Sequence, residues 1–280
     1  MSPTLVSRRP KSPPKRKPAR RLRTTAARRP WAIPTWWLNT VWGLFLLIPA
    51  ALLTQTFFTA FQRATVQHGF WHTEEFWFFS LGAALWVLWF FGSIWSLGQP
   101  RPIRAYVFGH ELTHAIWVWA MGGKVDLAQF HVTRDGGHVV VTKNNFLIAL
   151  APYFYPIYSI ATVILYGITS LFYNVAAETA TLLTLTPLQW MFLLLGGTWG
   201  FHMSFTCWMI PKGQSDLSAH GTFFSLIIIY IGNLFVLALL LIIAAPEITF
   251  TSFGRELLEN VEDFSAAAWG AIRPLVQQDR

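Results

Sequence analysis

The sequence predicts an all-α polytopic membrane protein with about six transmembrane helices and a small β-hairpin after the third helix. The chain has 280 residues, of which 54% are hydrophobic and only 12% are charged, whereas a soluble domain carries about 25% charged residues. Its mean hydropathy is +0.42, and several apolar stretches approach the length of about 20 residues that crosses a bilayer. This composition argues against a soluble enzyme, a disordered regulator and a disulfide-stabilised scaffold.

Six apolar stretches account for the predicted spans. They cover residues 36–60, 76–98, 104–122, 146–172, 188–211 and 222–245. The third and fifth stretches also carry polar side chains. Trp31, Trp36 and Trp37 stand at the start of the first stretch, where aromatic side chains typically mark the membrane interface.

The chain divides into residues 1–30, a six-span membrane domain over 31–245 and a C-terminal segment over 246–280. Residues 1–30 contain eleven of the 21 Lys and Arg residues and no Asp or Glu, so we expect a disordered cytoplasmic tail. Six crossings then return the C-terminus to the cytoplasm, with 16 basic residues inside and five outside, as the positive-inside rule requires. We expect a bacterial inner membrane. The tail is also a candidate for binding anionic lipid, whereas nucleic acid is not an expected partner.

Two segments outside the spans have patterns of their own. Residues 125–142 contain two short β-prone runs around Asp135-Gly136-Gly137, which predicts a hairpin. After Pro246, apolar residues such as Phe253, Leu257 and Val261 recur at helical spacing. We expect an amphipathic helix there, which lies on the membrane, docks on a partner or packs against the cytoplasmic loops of this chain.

The third stretch contains the motif Gly109-His110-Glu111-Leu112-Thr113-His114-Ala115. Histidines four residues apart share one helix face, so His110 and His114 can bind one metal ion. Zn²⁺ suits such a site, with three protein ligands and an open position for water. Glu111 lies next to that position, where it can act as the general base of a hydrolase. Because ionisable groups inside a bilayer are costly, a bound cation also explains why three of them occur together.

This motif and its surroundings resemble the site-2 protease family of intramembrane zinc metallopeptidases, in a divergent bacterial branch. The resemblance covers about residues 105–235 and includes Gly122-Gly123-Lys124-Val125, the run from Asn145 to Tyr153, and Gln214-Ser215-Asp216-Leu217. It implies one zinc ion per chain and endoproteolysis of a membrane-anchored protein. It also implies an HExxH helix followed by a β-hairpin, and a carboxylate on a later helix as third ligand.

The identity of the third ligand stays open between two residues. The Leu-Asp-Gly sequence of the family is absent, and Asp216 is its nearest equivalent. His202, within the fifth stretch, is the alternative. Each residue also has an interpretation without a metal: Asp216 can cap a helix, and His202 can form a buried hydrogen bond between helices. If the third stretch spans the membrane, zinc lies near mid-membrane while Asp216 lies in an external loop. We therefore expect residues 212–221 to fold back into the protein, or the sixth helix to begin early.

Substrate contacts are predicted at two places. An exposed edge of the hairpin can hold an unwound substrate by β-augmentation. An amphipathic hairpin that lies at the membrane interface is an equally good interpretation. Asn144 and Asn145 can hydrogen-bond a substrate carbonyl, and they are equally natural caps for the following helix.

Two other classes of function compete with a protease. The first is a histidine-box di-iron membrane oxygenase, which would leave Glu111 without a role. The histidines that suggest it are His68, His72, His131 and His138, together with His110 and His114. The second is a non-catalytic membrane scaffold with a structural metal site or none. The presence of Glu111 argues against such a non-catalytic scaffold. The sequence does not predict the substrate or the oligomeric state.

Overall fold

The computed structural model describes residues 35–278 except residues 68, 135, 176, 180, 181 and 246. The basic segment 1–30, His68, Asp135 and Pro246 therefore lie outside the described residues. The helices are α1 (Thr35–Gln62), α2 (Glu74–Leu97), α3 (Ile103–Ala120), α4 (Phe146–Leu150), α5 (Ile157–Ser170), α6 (Pro187–Met209), α7 (Ser215–Ala219), α8 (Thr222–Ala244) and α9 (Phe250–Gln278). Strands β1 (Val125–Val132) and β2 (Gly137–Val141) follow α3.

Within the described residues, length and hydropathy suit three helical segments to crossing a bilayer: Trp37–Val66, Glu74–Leu97 and Thr222–Ala244. A fourth candidate is the pair Phe146–Tyr153 and Ile157–Ser170, which meet at an angle of 78°. The expectation of a helical membrane protein is thus supported, but six spans are not confirmed. The predicted third and fifth spans form α3 and α6, whose polar side chains set them apart from the other stretches.

Helices α2 and α6 lie side by side and run in the same direction. A Cβ atom on Gly82 would lie 1.9 Å from the carbonyl oxygen of Leu193, and one on Gly196 would lie 1.9 Å from that of Phe79. Only glycine permits such a close approach, and small residues at helix contacts are typical of membrane bundles. Further along, the indole of Trp86 donates a hydrogen bond to Ser204.

Helices α1 and α8 also run in the same direction. The side chain of Asn39 donates a 2.7 Å hydrogen bond to the carbonyl of His220, just before α8 begins. Ala60, near the end of α1, packs in one cluster with Ala238 of α8. We call the end of the bundle at which α1 and α8 begin the near end, and the opposite end the far end.

Helix α3 packs across the near end of the bundle. The ring of Tyr106, in its first turn, stacks on Phe205 close to the end of α6, with ring centres 4.7 Å apart. Trp117, in its last turn, packs on a cluster that includes Leu217 of α7 and Ile229 of α8. The two ends of α3 therefore pack on α6 and on a cluster from α7 and α8, and α3 is not among the described helices whose length and hydropathy suit a crossing.

The predicted hairpin is confirmed. Strands β1 and β2 pair antiparallel, with Val125 opposite Val141 and Val132 opposite Gly137. The hairpin turns back along α3, because a Cβ atom on Gly137 would lie 2.7 Å from Val107 and 2.8 Å from the Cγ atom of Glu111. The missing side chain of Gly137 thus allows β2 to lie directly against the motif helix.

The predicted C-terminal helix forms α9, and its first half packs on α1 at the far end. Arg63 and Glu256 form a 2.9 Å ion pair, and Asn260 donates a 2.9 Å hydrogen bond to Thr56. In its second half, large apolar side chains such as Trp269 and Ile272 are exposed. Within the part of α9 that the structure describes, the polar contacts with α1 and the residue that follows it thus come from the first half of the helix.

The contact between α2 and α6 gives a test of the fold. Gly196→Ala should lower the free energy of unfolding by about 1–3 kcal/mol or more, because the new methyl group collides with backbone rather than with a movable side chain. Gly197→Ala is the matched control, since its Cβ atom would lie 3.6 Å from the carbonyl oxygen of Gly82. Thermal unfolding in detergent measures both variants, and equal stability of the two would contradict this packing.

Candidate metal centre

His110 and His114 present their imidazoles on one face of α3. Their Nε2 atoms lie 3.2 Å apart, and their ring centres are 4.8 Å apart. This arrangement follows from the helical repeat, which stacks residues four positions apart. Both side chains are largely buried, with exposed fractions of 10% and 14%.

Asp216 of α7 completes a group of three possible metal ligands. Its Oδ2 atom lies 3.4 Å from Nε2 of His110 and 3.8 Å from Nε2 of His114. Ligands about 2.0–2.1 Å from a tetrahedral ion lie about 3.3–3.4 Å from one another. The three separations are close to that value, so the residues present fit a tetrahedral metal ion.

The chain between α6 and α8 brings Asp216 to this position. Gly213 adopts a φ of 72°, a left-handed conformation that glycine takes readily, and α7 then begins two residues later. Asp216 lies within 3.4 Å of His110, whereas α8 begins only at Thr222. Of the two expected solutions, the segment 212–221 therefore reaches the histidines through α7, and the last predicted span does not begin early.

Backbone and side-chain partners orient the two imidazoles. The Nδ1 atom of His114 lies 2.9 Å from the carbonyl oxygen of Ile148, so it donates there and leaves Nε2 free as a ligand. The Nδ1 atom of His110 lies 3.4 Å from the hydroxyl of Tyr106. Each ring is thus held with Nε2 towards Asp216.

The charge state of Asp216 also suits a cation. Burial raises the pKa of its carboxyl, but the adjacent imidazoles of His110 and His114 outweigh burial and hold this pKa well below its usual range. The hydroxyl of Tyr153 donates a further hydrogen bond to Oδ2, at 3.2 Å. These interactions favour the ionised carboxylate, which is the form that binds metal ions.

Glu111 is not part of the group of three but shares its cavity. The cavity has a volume of about 400 Å³ and is lined by His110, Glu111, His114, Asp216 and part of β2. Glu111 is only 7% exposed and lies under Gly137. A carboxylate beside three metal ligands in one cavity is an arrangement that can activate water.

The alternative ligand His202 lies elsewhere, within the helical core. It is 8% exposed, and it interacts with the side chain of Asn233 and the backbone of Tyr153. Its Nε2 atom has no hydrogen-bond partner among the described residues. The group of possible metal ligands found in the described residues consists of His110, His114 and Asp216, without His202.

The two predicted substrate-binding asparagines differ in position. Asn144 lines the cavity. Asn145 caps α4, since its Oδ1 atom accepts a 2.9 Å hydrogen bond from the backbone of Ile148. A substrate contact of Asn144 thus stays a prediction, whereas Asn145 has the capping role that the sequence also allowed.

The other histidines do not join the group of three. His131 and His138 face each other across the hairpin, with ring centres 4.8 Å apart. His72 ends a short 3₁₀ turn at the far end of the bundle, and His68 lies outside the described residues. The described histidines thus give no support to a histidine-box site.

Sequence reasoning missed two tyrosines of the site. Tyr106 lies one helical turn before His110, so its position on the motif helix offered a signal. Tyr153 was noted only as part of the stretch that resembles the site-2 protease family. Its contact with Asp216 joins residues 63 positions apart, and no sequence pattern indicates such a contact.

Comparison of the chain with protein-family models, with curated proteins and with solved structures finds no match.

Two conservative variants separate the candidate third ligands. Asp216→Asn should weaken metal binding more than about 100-fold, beyond the 10–100-fold loss typical of outer-shell partners, because a neutral amide replaces the charged ligand. His202→Gln should keep the metal at the wild-type stoichiometry. Elemental analysis of the detergent-purified proteins measures both. Loss of metal from His202→Gln with retention in Asp216→Asn would reverse the assignment.

Proposed function

We propose that the chain is an intramembrane zinc metalloendopeptidase of the site-2 protease type. The observation that supports this most strongly is the meeting of His110, His114 and Asp216, with Glu111 in the same cavity. Two imidazoles and one carboxylate form a donor set that zinc accepts in hydrolytic enzymes, with a fourth position left for water. A β-hairpin directly after the motif helix is also what the resemblance to the site-2 protease family implies.

In the proposed reaction, Glu111 is the general base and then the general acid. Zinc, when bound, lowers the pKa of water to about 7 and polarises the scissile carbonyl. Glu111 takes a proton from the attacking water and delivers it to the leaving amine. His114 is kept in its ligand tautomer by the carbonyl of Ile148.

The proposed substrate is a membrane-anchored protein that binds in extended form. Both strands of a two-stranded sheet are edges, and β2 contributes Gly137, His138, Val139 and Val141 to the cavity lining. An unwound substrate segment can pair with β2 by β-augmentation, which would place its backbone beside Glu111. Asn144 is available to hydrogen-bond a substrate carbonyl at the same cavity.

We further propose that the near end faces the bacterial cytoplasm. Helix α6 lies along α2 and so crosses the same layer, and α3 does not cross, which leaves crossings by α1, α2, α5, α6 and α8. Described basic residues at the near end are Arg101, Arg104, Lys124, Arg134, Lys143 and Lys212, and those in far-end segments are Arg63, Arg255 and Arg273. The eleven basic residues of segment 1–30 also precede α1. This asymmetry fits the positive-inside rule and revises the expectation that both termini are cytoplasmic.

Catalysis is tested with Glu111→Gln beside His110→Ala. The test uses zinc-loaded protein in detergent, an unfolded protein and a single-span membrane protein as substrates, and mass spectrometry of new N-termini. Glu111→Gln should lower cleavage about 10²–10⁴-fold and retain zinc, whereas His110→Ala should lose both. Undiminished cleavage by Glu111→Gln with zinc bound would overturn the mechanism.

Sidedness is tested with alkaline phosphatase, which folds to its active form outside the cytoplasm. A fusion after residue 280 should be active, because an odd number of crossings separates it from the cytoplasmic tail. A fusion after residue 100, between α2 and α3, should be inactive and serves as the control. Activity at residue 100 and none at residue 280 would show the opposite orientation.

A further inference from the structure

We propose that Tyr153 is a positioning residue that holds the Asp216 carboxylate against the two histidines. This inference rests on the proposed metal site and extends it to a residue outside the HExxH motif. The Tyr153 hydroxyl donates to Oδ2 of Asp216 at 3.2 Å. The same oxygen lies 3.4 Å and 3.8 Å from the Nε2 atoms of His110 and His114. Tyr153 therefore contacts the oxygen that faces the metal position.

Asp216 needs such a partner more than the histidines do. His110 and His114 belong to an 18-residue helix, whereas Asp216 belongs to a helix of only five residues. Its side chain is 25% exposed, more than either imidazole. Among the described residues, Tyr153 is the neutral side chain that hydrogen-bonds to this carboxylate. The hydroxyl thus fixes the orientation of a carboxylate that a helix of only five residues presents.

The ring of Tyr153 is itself held rigidly. It is fully buried and meets the ring of His110 edge-on, with centres 5.3 Å apart and planes at 85°. The ring therefore contacts one metal ligand while its hydroxyl contacts another. This double contact joins α3 to α7, and it sets the distance between a histidine and the carboxylate.

The backbone of Tyr153 is held by α8. Tyr153 ends a 3₁₀ turn at the break between α4 and α5, where the regular helical hydrogen bonds are interrupted. The Asn233 side chain donates to the Tyr153 carbonyl at 2.8 Å and to the Ile229 carbonyl at 2.9 Å. His202 lies against the same carbonyl and the same asparagine. The half-buried Asn233 and the buried His202 thus support the turn that presents Tyr153, although neither belongs to the group of metal ligands.

The hydroxyl is tested by Tyr153→Phe, with Tyr155→Phe as the control. Tyr155 follows the same turn and packs against Trp117 rather than against the metal ligands. Competition with a chromophoric chelator measures zinc affinity, and ligand-field absorption of the cobalt(II) form reports the geometry of the ligands. Tyr153→Phe should bind zinc about 10–100-fold more weakly and shift the cobalt absorption. Tyr155→Phe should match the wild type in both.

Unfolding of the metal-free proteins separates this role from a general loss of structure. Tyr153→Phe keeps the buried ring, so the metal-free variant should unfold at the wild-type temperature. Asn233→Ser, which no longer reaches the Tyr153 carbonyl, should also weaken zinc binding. Wild-type zinc affinity and cobalt absorption in Tyr153→Phe would overturn the inference while leaving the metal site intact. A wild-type protein that binds no zinc would instead overturn the proposed function.

Discussion

The convergence of two imidazoles and one carboxylate at the end of an apolar bundle is the constraint on which the other features depend. His110 and His114 come from α3, and Asp216 comes from α7, about a hundred residues later. Burial would make three such groups costly, and a cation between them offsets that cost. Three features of the fold bring these ligands together. They are the left-handed Gly213, the break between α4 and α5, and the packing of α3 across the near end.

The bundle provides a rigid frame, and the irregular parts provide the chemistry. Glycine contacts bring α2 and α6 together backbone to backbone, which fixes the core against which Tyr106 and Phe205 stack. The non-helical segments, namely the hairpin, the turn before α5 and the chain around α7, gather at one cavity. Irregular backbone in a membrane protein needs internal partners or water. Here Asn233 supplies such a partner to the turn, and the cavity gives the other segments access to water.

Much of the site could be predicted because it follows from local patterns. The spacing of His110 and His114 determines their shared helix face, and the runs around residues 125–142 predict a hairpin that the structure confirms. The path of α3 could not be predicted from hydropathy, since an 18-residue helix is long enough to cross a membrane, and only packing against Phe205 and Ile229 shows where it lies. The role of Tyr153 was equally hidden, because its contact with Asp216 depends on tertiary structure alone.

The most direct test of the central claim is X-ray absorption at the zinc edge of the purified, zinc-loaded wild-type protein. The account predicts about one zinc per chain with nitrogen and oxygen neighbours at about 2.0–2.1 Å. It also predicts the outer scattering of two imidazoles and no sulfur neighbour. A folded protein that takes up no zinc, or a zinc ion without imidazole scattering, would contradict the claim that His110, His114 and Asp216 form a metal centre.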